Sequence, residues 1–213
     1  HPYDPQRSLT KERLVIAING HRRHPSPKFV KLAAGSLAGF VIAAADAAPV
    51  VPPVEQVLGT LRSVHPRVMV DTRTFDDVKR SVDKGGLPAR LYGEVKKSAD
   101  KALTASVSIY EKPDGKRLLS VSRRVLDRVS DLALVARLER DPRYADRAWR
   151  ELEAAARFPD WNPAHFLDTA EMTCAFALGY DWLYDHWSEE QRRVLRAAIV
   201  EKGLSEGLKV YAG

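Results

Sequence analysis

The 213-residue sequence predicts an all-α protein. Three observations carry that expectation. From residue 71 onward apolar side chains recur at helical spacing. The breaks between the periodic stretches hold Gly, Pro and helix-capping residues. No alternating strand set, Gly-rich phosphate loop, Cys/His metal spacing or fixed-period repeat interrupts the pattern. Short connections between long helices predict successive antiparallel hairpins, closing either as a bundle or as the first arc of an α/α toroid.

The elements follow in order. Residues 32–45 form an uncharged, Ala- and Gly-rich apolar run of 14 residues, after Lys28 and Lys31 and before Ala45-Asp46-Ala47. A positive flank, a short apolar core and a small-x-small exit are the parts of a secretory signal peptide. A buried Ala-rich helix is the alternative. The run is too short to span a bilayer, so no transmembrane segment is expected. The organisation predicted is an upstream leader at 1–29, a signal peptide at 30–47, a linker at 48–63 and a helical domain at 64–213. The protein is thus expected to be exported, periplasmic or secreted.

Within the linker one helical turn is expected at 54–61. His65-Pro66-Arg67-Val68-Met69-Val70 reads as a short extended lead-in. Asp71 or Thr74 can cap a helix to about Asp83, and Gly85-Gly86 stops it. Pro88 suits the first turn of the next helix, with Leu91, Val95, Ala99, Ala102 and Leu103 at helical spacing. That helix is expected to run to the turn Pro113-Asp114-Gly115. A longer one covers 116–140, with Val121, Val125, Leu126, Val129, Leu132 and Leu138 on one side. Asp141-Pro142 opens a helix to Phe158, whose Arg- and Glu-rich surroundings from Arg137 to Arg157 read as a solvated outer face. After a break at 159–163, a helix is predicted at 164–185. Ser188-Glu189-Glu190-Gln191 is a capping box opening a helix to about Leu208.

Charge narrows the partners. The formal net charge is +6, but residues 1–31 hold seven Lys+Arg against two Asp+Glu, a net of +5. The remaining body is nearly neutral, so a nucleic-acid surface is not expected. One cysteine excludes an internal disulfide framework; Cys174 is expected to pack inertly. No metal site or cofactor is evident.

The stretch 158–191 carries no Lys or Arg, seven acids and eight of the chain's 17 aromatics. Its helix is apolar on most sides, as in the inner member of a two-layer helical fold. His165, Asp168 and Glu171 are polar groups on that helix, and buried charges need partners. His165 and Asp168, three apart, share a face. Trp161 beside Asn162 and His165 suits a sugar, with the indole on a pyranose face and the polar groups giving directional hydrogen bonds. The alternative is that His165 and Asp168 satisfy each other and the nearby backbone. Asp168 with Glu171 is a poor glycosidase pair, because two carboxylates on one helix do not flank a bond. Asp181 and Asp185 are like charges at i, i+4, tolerable if one reaches an arginine. Tyr180, Trp182 and Tyr184 are expected in the core.

The string Trp161-Asn162-Pro163-x-His165-Phe166-Leu167-Asp168-Thr169-Ala170-Glu171-Met172, followed by Gly179-Tyr180-Asp181-Trp182-Leu183-Tyr184-Asp185, resembles the N-terminal domain of heparinase II/III-type polysaccharide lyases. His65-Pro66-Arg67 and the predicted signal fit the same family, and the resemblance covers roughly 64–208. It implies an incomplete α/α toroid followed by a C-terminal β-sandwich domain, the latter absent from this sequence. It also implies β-elimination of an acidic, uronate-containing polysaccharide or oligosaccharide. Trp161, Asn162, His165, Asp168 and Glu171 match as substrate-binding or site-supporting residues. The family's asparagine-rich motif and catalytic tyrosine are expected beyond residue 213, so no catalytic residue is assigned, and the fragment alone is expected to be inactive. The cations an acidic substrate needs must come from outside 158–191. A glycoside hydrolase on an α/α scaffold and a non-catalytic carbohydrate-binding helical module are the alternatives.

Overall fold

The computed structural model describes residues 52–212, which form helices and connecting turns with no strand among them. The predicted leader and signal peptide lie outside the described residues. A short exposed helix α1 (Val54–Leu58) precedes α2 (Thr72–Asp83), α3 (Gly86–Thr104), α4 (Leu119–Glu139), α5 (Pro142–Ala156) and α6 (Phe166–Trp182). Then come α7 (Glu189–Ala198), a π-helical segment (Ile199–Leu204) and α8 (Ser205–Ala212). No helix of the described residues is long and apolar enough to cross a membrane.

The caps read from sequence form. Asp71 accepts hydrogen bonds from the Thr74 amide and hydroxyl, both at 2.9 Å. Asp141 accepts from the Arg143 amide at 3.0 Å, with Pro142 in the first turn of α5. Ser188 and Gln191 cap α7 reciprocally, at 3.2 and 2.9 Å. Each satisfies an amide the helix start leaves without a partner.

Four elements differ in their bounds from expectation. Helix α3 stops at Thr104, well short of Pro113. The alternation of serine and β-branched residues in Ser106-Val107-Ser108-Ile109 disfavours helix, and the carbonyls of Ala102, Ala105 and Ser106 are taken by Arg147 and Arg128. The segment 105–118 therefore crosses between α3 and α4 as a non-helical connection. Helix α4 begins at Leu119, not Lys116, because Asp114 draws the Lys116 and Arg117 amides into a turn. Helix α6 covers less than 164–185, with 3₁₀ turns at Pro163–His165 and Tyr184–His186 at its ends. The last helix runs past Leu208 to Ala212 through the π segment.

Helices α4 and α6 pack along their length and run parallel. Leu118 meets Asp168, 50 positions on; Ser122 meets Glu171, 49 on; Val129 meets Gly179 at the first separation again. A near-constant offset is what parallel neighbours produce. A Cβ built on Gly179 would lie 2.7 Å from Leu152 Cδ1 and 2.9 Å from Val129 Cγ1, so glycine permits this close approach. Helix α3 runs antiparallel to α4, with Tyr92 beside Glu139 and Ser106 beside Arg128. The chain from α7 to α8 returns antiparallel along α6: Arg196 reaches Tyr180, Gly203 abuts Thr173 and Gly207 faces Phe166.

The solvated face predicted from Arg137 to Arg157 is corrected in part. Arg147 and Glu151 are fully buried and paired at 2.8 Å, one turn apart on the inner side of α5. Arg128 approaches Glu151 at 3.2 Å, and the Ser108 amide donates to it at 3.1 Å. The reason is the non-helical 105–118 connection, whose free carbonyls and amides need buried charged partners.

Candidate functional site

The dyad predicted from spacing forms. Asp168, in the first turn of α6, has a side chain with 0 % exposure, and its Oδ1 lies 2.9 Å from His165 Nδ1. Its Oδ2 accepts from the Leu118 amide at 2.7 Å and from Asn162 Nδ2 at 2.7 Å. The carboxylate thus ties the start of α4 to the start of α6. With two N–H donors already on the carboxylate, Nδ1 is assigned as the third, which leaves the lone pair of neutral His165 on Nε2. The His165 side chain is 37 % exposed, and Nε2 has no partner among the described residues. The dyad therefore has a sealed end and an open end.

Asn162 is buried in the left-handed region, with φ 57° and ψ 60°, a conformation asparagine tolerates better than most residues. Its amide donates to Asp160 Oδ1 at 2.8 Å, and Nδ2 also donates to the Lys116 carbonyl at 2.8 Å. Asn162 is thus a bracket between the 105–118 connection and Asp168.

Trp161 departs from expectation. It is 1 % exposed, its ring centroid lies 4.6 Å from that of Phe176, and its indole N–H donates to the Ala155 carbonyl at 3.2 Å. A ring so enclosed cannot stack on a sugar; it anchors the turn into α6 from below. Glu171 is also consumed internally, accepting from Ser122 Oγ at 2.6 Å and pairing with Arg123 at 3.2 Å. Cys174, expected to pack inertly, is exposed.

Sequence reasoning missed the contribution of residues 105–118. The Tyr110 hydroxyl donates to Asp160 at 2.8 Å, and Lys112 lies over the Tyr110 ring at 5.4 Å. Burial raises the Tyr110 pKa, helped by Asp160 and opposed by Lys112. The Tyr110 hydroxyl raises the Lys112 pKa, with smaller help from the charges of Asp160 and Asp168. Burial alone would raise the Asp160 pKa, but Tyr110, the Asn162 amide, Lys112 and Lys202 hold it below the ordinary carboxylate value. The signal available in sequence was Asp160 two residues before Asn162, an Asx-turn spacing. Nothing local marked Tyr110 or Lys112, which arrive from 50 positions away. Lys112, Arg123 and Lys202 put cations near a stretch that has none of its own.

The His-Pro-Arg lead-in meets the Tyr-Asp-Trp string. Asp181 accepts from His65 Nδ1 at 2.6 Å and from the Arg67 and Val68 amides at 2.7 and 2.8 Å. His65 stacks on Tyr184 at 3.8 Å, and Trp182 donates to the Val68 carbonyl at 3.1 Å. Asp185, in the 3₁₀ turn beyond α6, approaches Arg137 at 4.0 Å, so one of the two like charges Asp181 and Asp185 does reach an arginine. These residues fasten 65–70 to the C-terminal end of α6, away from the His165 dyad. Among the described residues no group of three or more His, Cys, Asp or Glu side chains could hold a metal ion. No family model matches this chain, and no curated protein matches it.

Proposed function

We propose that the chain is the N-terminal helical part of an exported polysaccharide lyase acting on a uronate-containing polymer by β-elimination, with α3 to α8 as the first arc of an α/α toroid. The observation that carries the reading is the His165–Asp168 dyad, locked at Nδ1 and open at Nε2. An imidazole so oriented offers one directional acceptor to a sugar hydroxyl, or one donor when protonated. Asp168 and Asn162 fix the ring and do not touch substrate. Lys112 supplies a cation for an acidic polymer. The parallel α4 and α6, each with an antiparallel neighbour, suit an arc of inner helices with outer returns. The proton-transferring groups are not assigned to this chain, and the substrate-binding role here rests on His165.

A glycoside hydrolase would need two carboxylates facing a bond across roughly 5–10 Å. Asp168 and Glu171 are both held by internal donors, which disfavours that reading. The enclosed Trp161 favours a second one, a non-catalytic helical module in which the dyad is structural.

Titrating the 213-residue chain with oligouronates, while following the His165 ring by NMR, separates these readings. The lyase reading expects His165 signals to move and His165→Ala to weaken binding with the fold intact. It also expects no unsaturated uronate absorbance from this chain alone on heparan sulfate or alginate. A silent His165, or identical binding by the alanine variant, favours the structural module.

A further inference from the structure

At the far end of α4 and α6 from His165 lies a groove of about 290 Å³. Its floor is apolar, from Ala136, Ala145, Trp182 and Leu183, and its rim carries Arg137, Arg140 and His186 together with the carboxylates of Asp141 and Asp185. The volume is near the small end of ligand pockets, roughly 300–1,000 Å³, which is room for one sugar-sized ring.

The two arginines are placed but underused. The Arg137 guanidinium sits 5.3 Å over the Phe75 ring, while its nearest carboxylate, Asp185, is 4.0 Å away on a 77 % exposed side chain. The dipole at the end of α4 favours a cation in that last turn, but it does not supply a close acceptor. Arg140 is exposed and has no partner among the described residues. It also occupies the position after α4 with φ 56°, where glycine is the usual residue. A glycine would make the same two-residue turn into α5 without strain. The carboxylates nearby do not fill the groove's charge: Asp141 is held by Arg143 at 2.7 Å, and His186 is turned to Asp146 at 3.0 Å.

We infer that this groove is a binding site for a ring-sized oxyanion, a carboxylated or sulfated monosaccharide unit held by Arg137 and Arg140 over the Trp182–Leu183 floor. Planar guanidinium groups match such oxyanions in bidentate fashion. The incoming anion takes the place of the loosely held Asp185 on Arg137. The inference does not rest on the lyase reading, since the groove is separate from the His165 dyad.

The test uses the 213-residue chain with glucuronate, glucose 6-sulfate and glucose as ligands, followed by the ring signals of His186, with the His165 ring followed separately as the reporter of the dyad. Both anionic sugars should shift His186 and glucose should not; which anion binds more tightly tells carboxylate from sulfate. Arg140→Gly should weaken the anions at least tenfold, while Tm stays level or rises because the left-handed turn is relieved. Arg137→Gln should also weaken them. Equal response to glucose, undiminished binding by Arg140→Gly, or shifts confined to His165 would each overturn the inference.

Discussion

Replacing Asp168 by asparagine changes the chemistry of His165 while nearly preserving shape. In the native protein Asp168 Oδ2 takes the Leu118 amide and Asn162 Nδ2, and Oδ1 faces His165 Nδ1. An asparagine keeps the first two donors only if its oxygen occupies the Oδ2 position. Its amide nitrogen then faces Nδ1, which must accept, so the imidazole proton moves to Nε2. The open end of the dyad turns from acceptor to donor. The loss of charge-assisted hydrogen bonding costs about 1–2 kcal/mol. Asp168→Ala removes the acceptor altogether and leaves two buried donors, Leu118 N–H and Asn162 Nδ2, without it; at about 1–3 kcal/mol each this totals about 2–6 kcal/mol. With roughly 2–4 °C of Tm per kcal/mol for a chain of this size, Asp168→Asn should melt a few degrees low and Asp168→Ala about 4–24 °C low. Nitrogen-15 shifts of the His165 ring report the tautomer, and thermal melts report stability. If His165 keeps its proton on Nδ1 in Asp168→Asn and neither variant loses stability, the carboxylate does not set the dyad.

Three further outcomes are expected. Glu151→Ala leaves the buried Arg147 guanidinium without its 2.8 Å partner and should cost about 3–5 kcal/mol in urea unfolding; a loss below about 1 kcal/mol would mean that the backbone carbonyls alone satisfy the arginine. Gly179→Ala places a Cβ 2.7 Å from Leu152 Cδ1 on α5 and 2.9 Å from Val129 Cγ1 on α4 and should cost about 1–3 kcal/mol, and a neutral result would show that α6 does not approach these helices so closely. Asp160 has its pKa lowered on folding, so it adds stability above the unfolded carboxylate value and loses it as pH falls through the lower folded one. Asp160→Asn should therefore flatten the fall of Tm below about pH 4; an unchanged slope in the acid range excludes that contribution.

Much of the helical layout was legible because it is written locally. Asp71, Asp141 and the Ser188–Gln191 box each act within one turn of their own helix, and the His165–Asp168 contact is a three-residue spacing. The parts that were not legible depend on long-range pairing. Trp161 has the residue type of a sugar platform, but whether an indole is open or covered is decided by Phe176 and Ala155. Arg147 and Glu151 sit in a sequence of mixed charge that reads as surface. Only the failure of α3 to continue past Thr104 creates the bare carbonyls that draw Arg147 inside. Tyr110 and Lys112 reach the site on that same connection, so one misplaced helix end hid both the buried ion pair and two neighbours of the dyad.

The geometry of the dyad is in turn a consequence of core packing. Val129 meets Gly179 at the same offset that brings Leu118 to Asp168, about three helical turns, or roughly 16 Å, toward the N-terminal ends. Parallel helices in contact share one register, so a shift at the glycine is carried rigidly along α4 and α6. Sliding α4 by one residue, about 1.5 Å, would lengthen the 2.7 Å bond from the Leu118 amide to about 3.1 Å for a slide at right angles to it and about 4.2 Å for a slide along it. Either way the donor that holds Oδ2 is weakened, and the hold of Asp168 on Nδ1 of His165 would loosen. A substitution at Gly179, about three helical turns from the dyad, should therefore perturb the tautomer and exposure of His165 as well as stability. A Gly179→Ala variant that is destabilised but leaves the His165 ring signals untouched would separate the core from the site and refute that coupling.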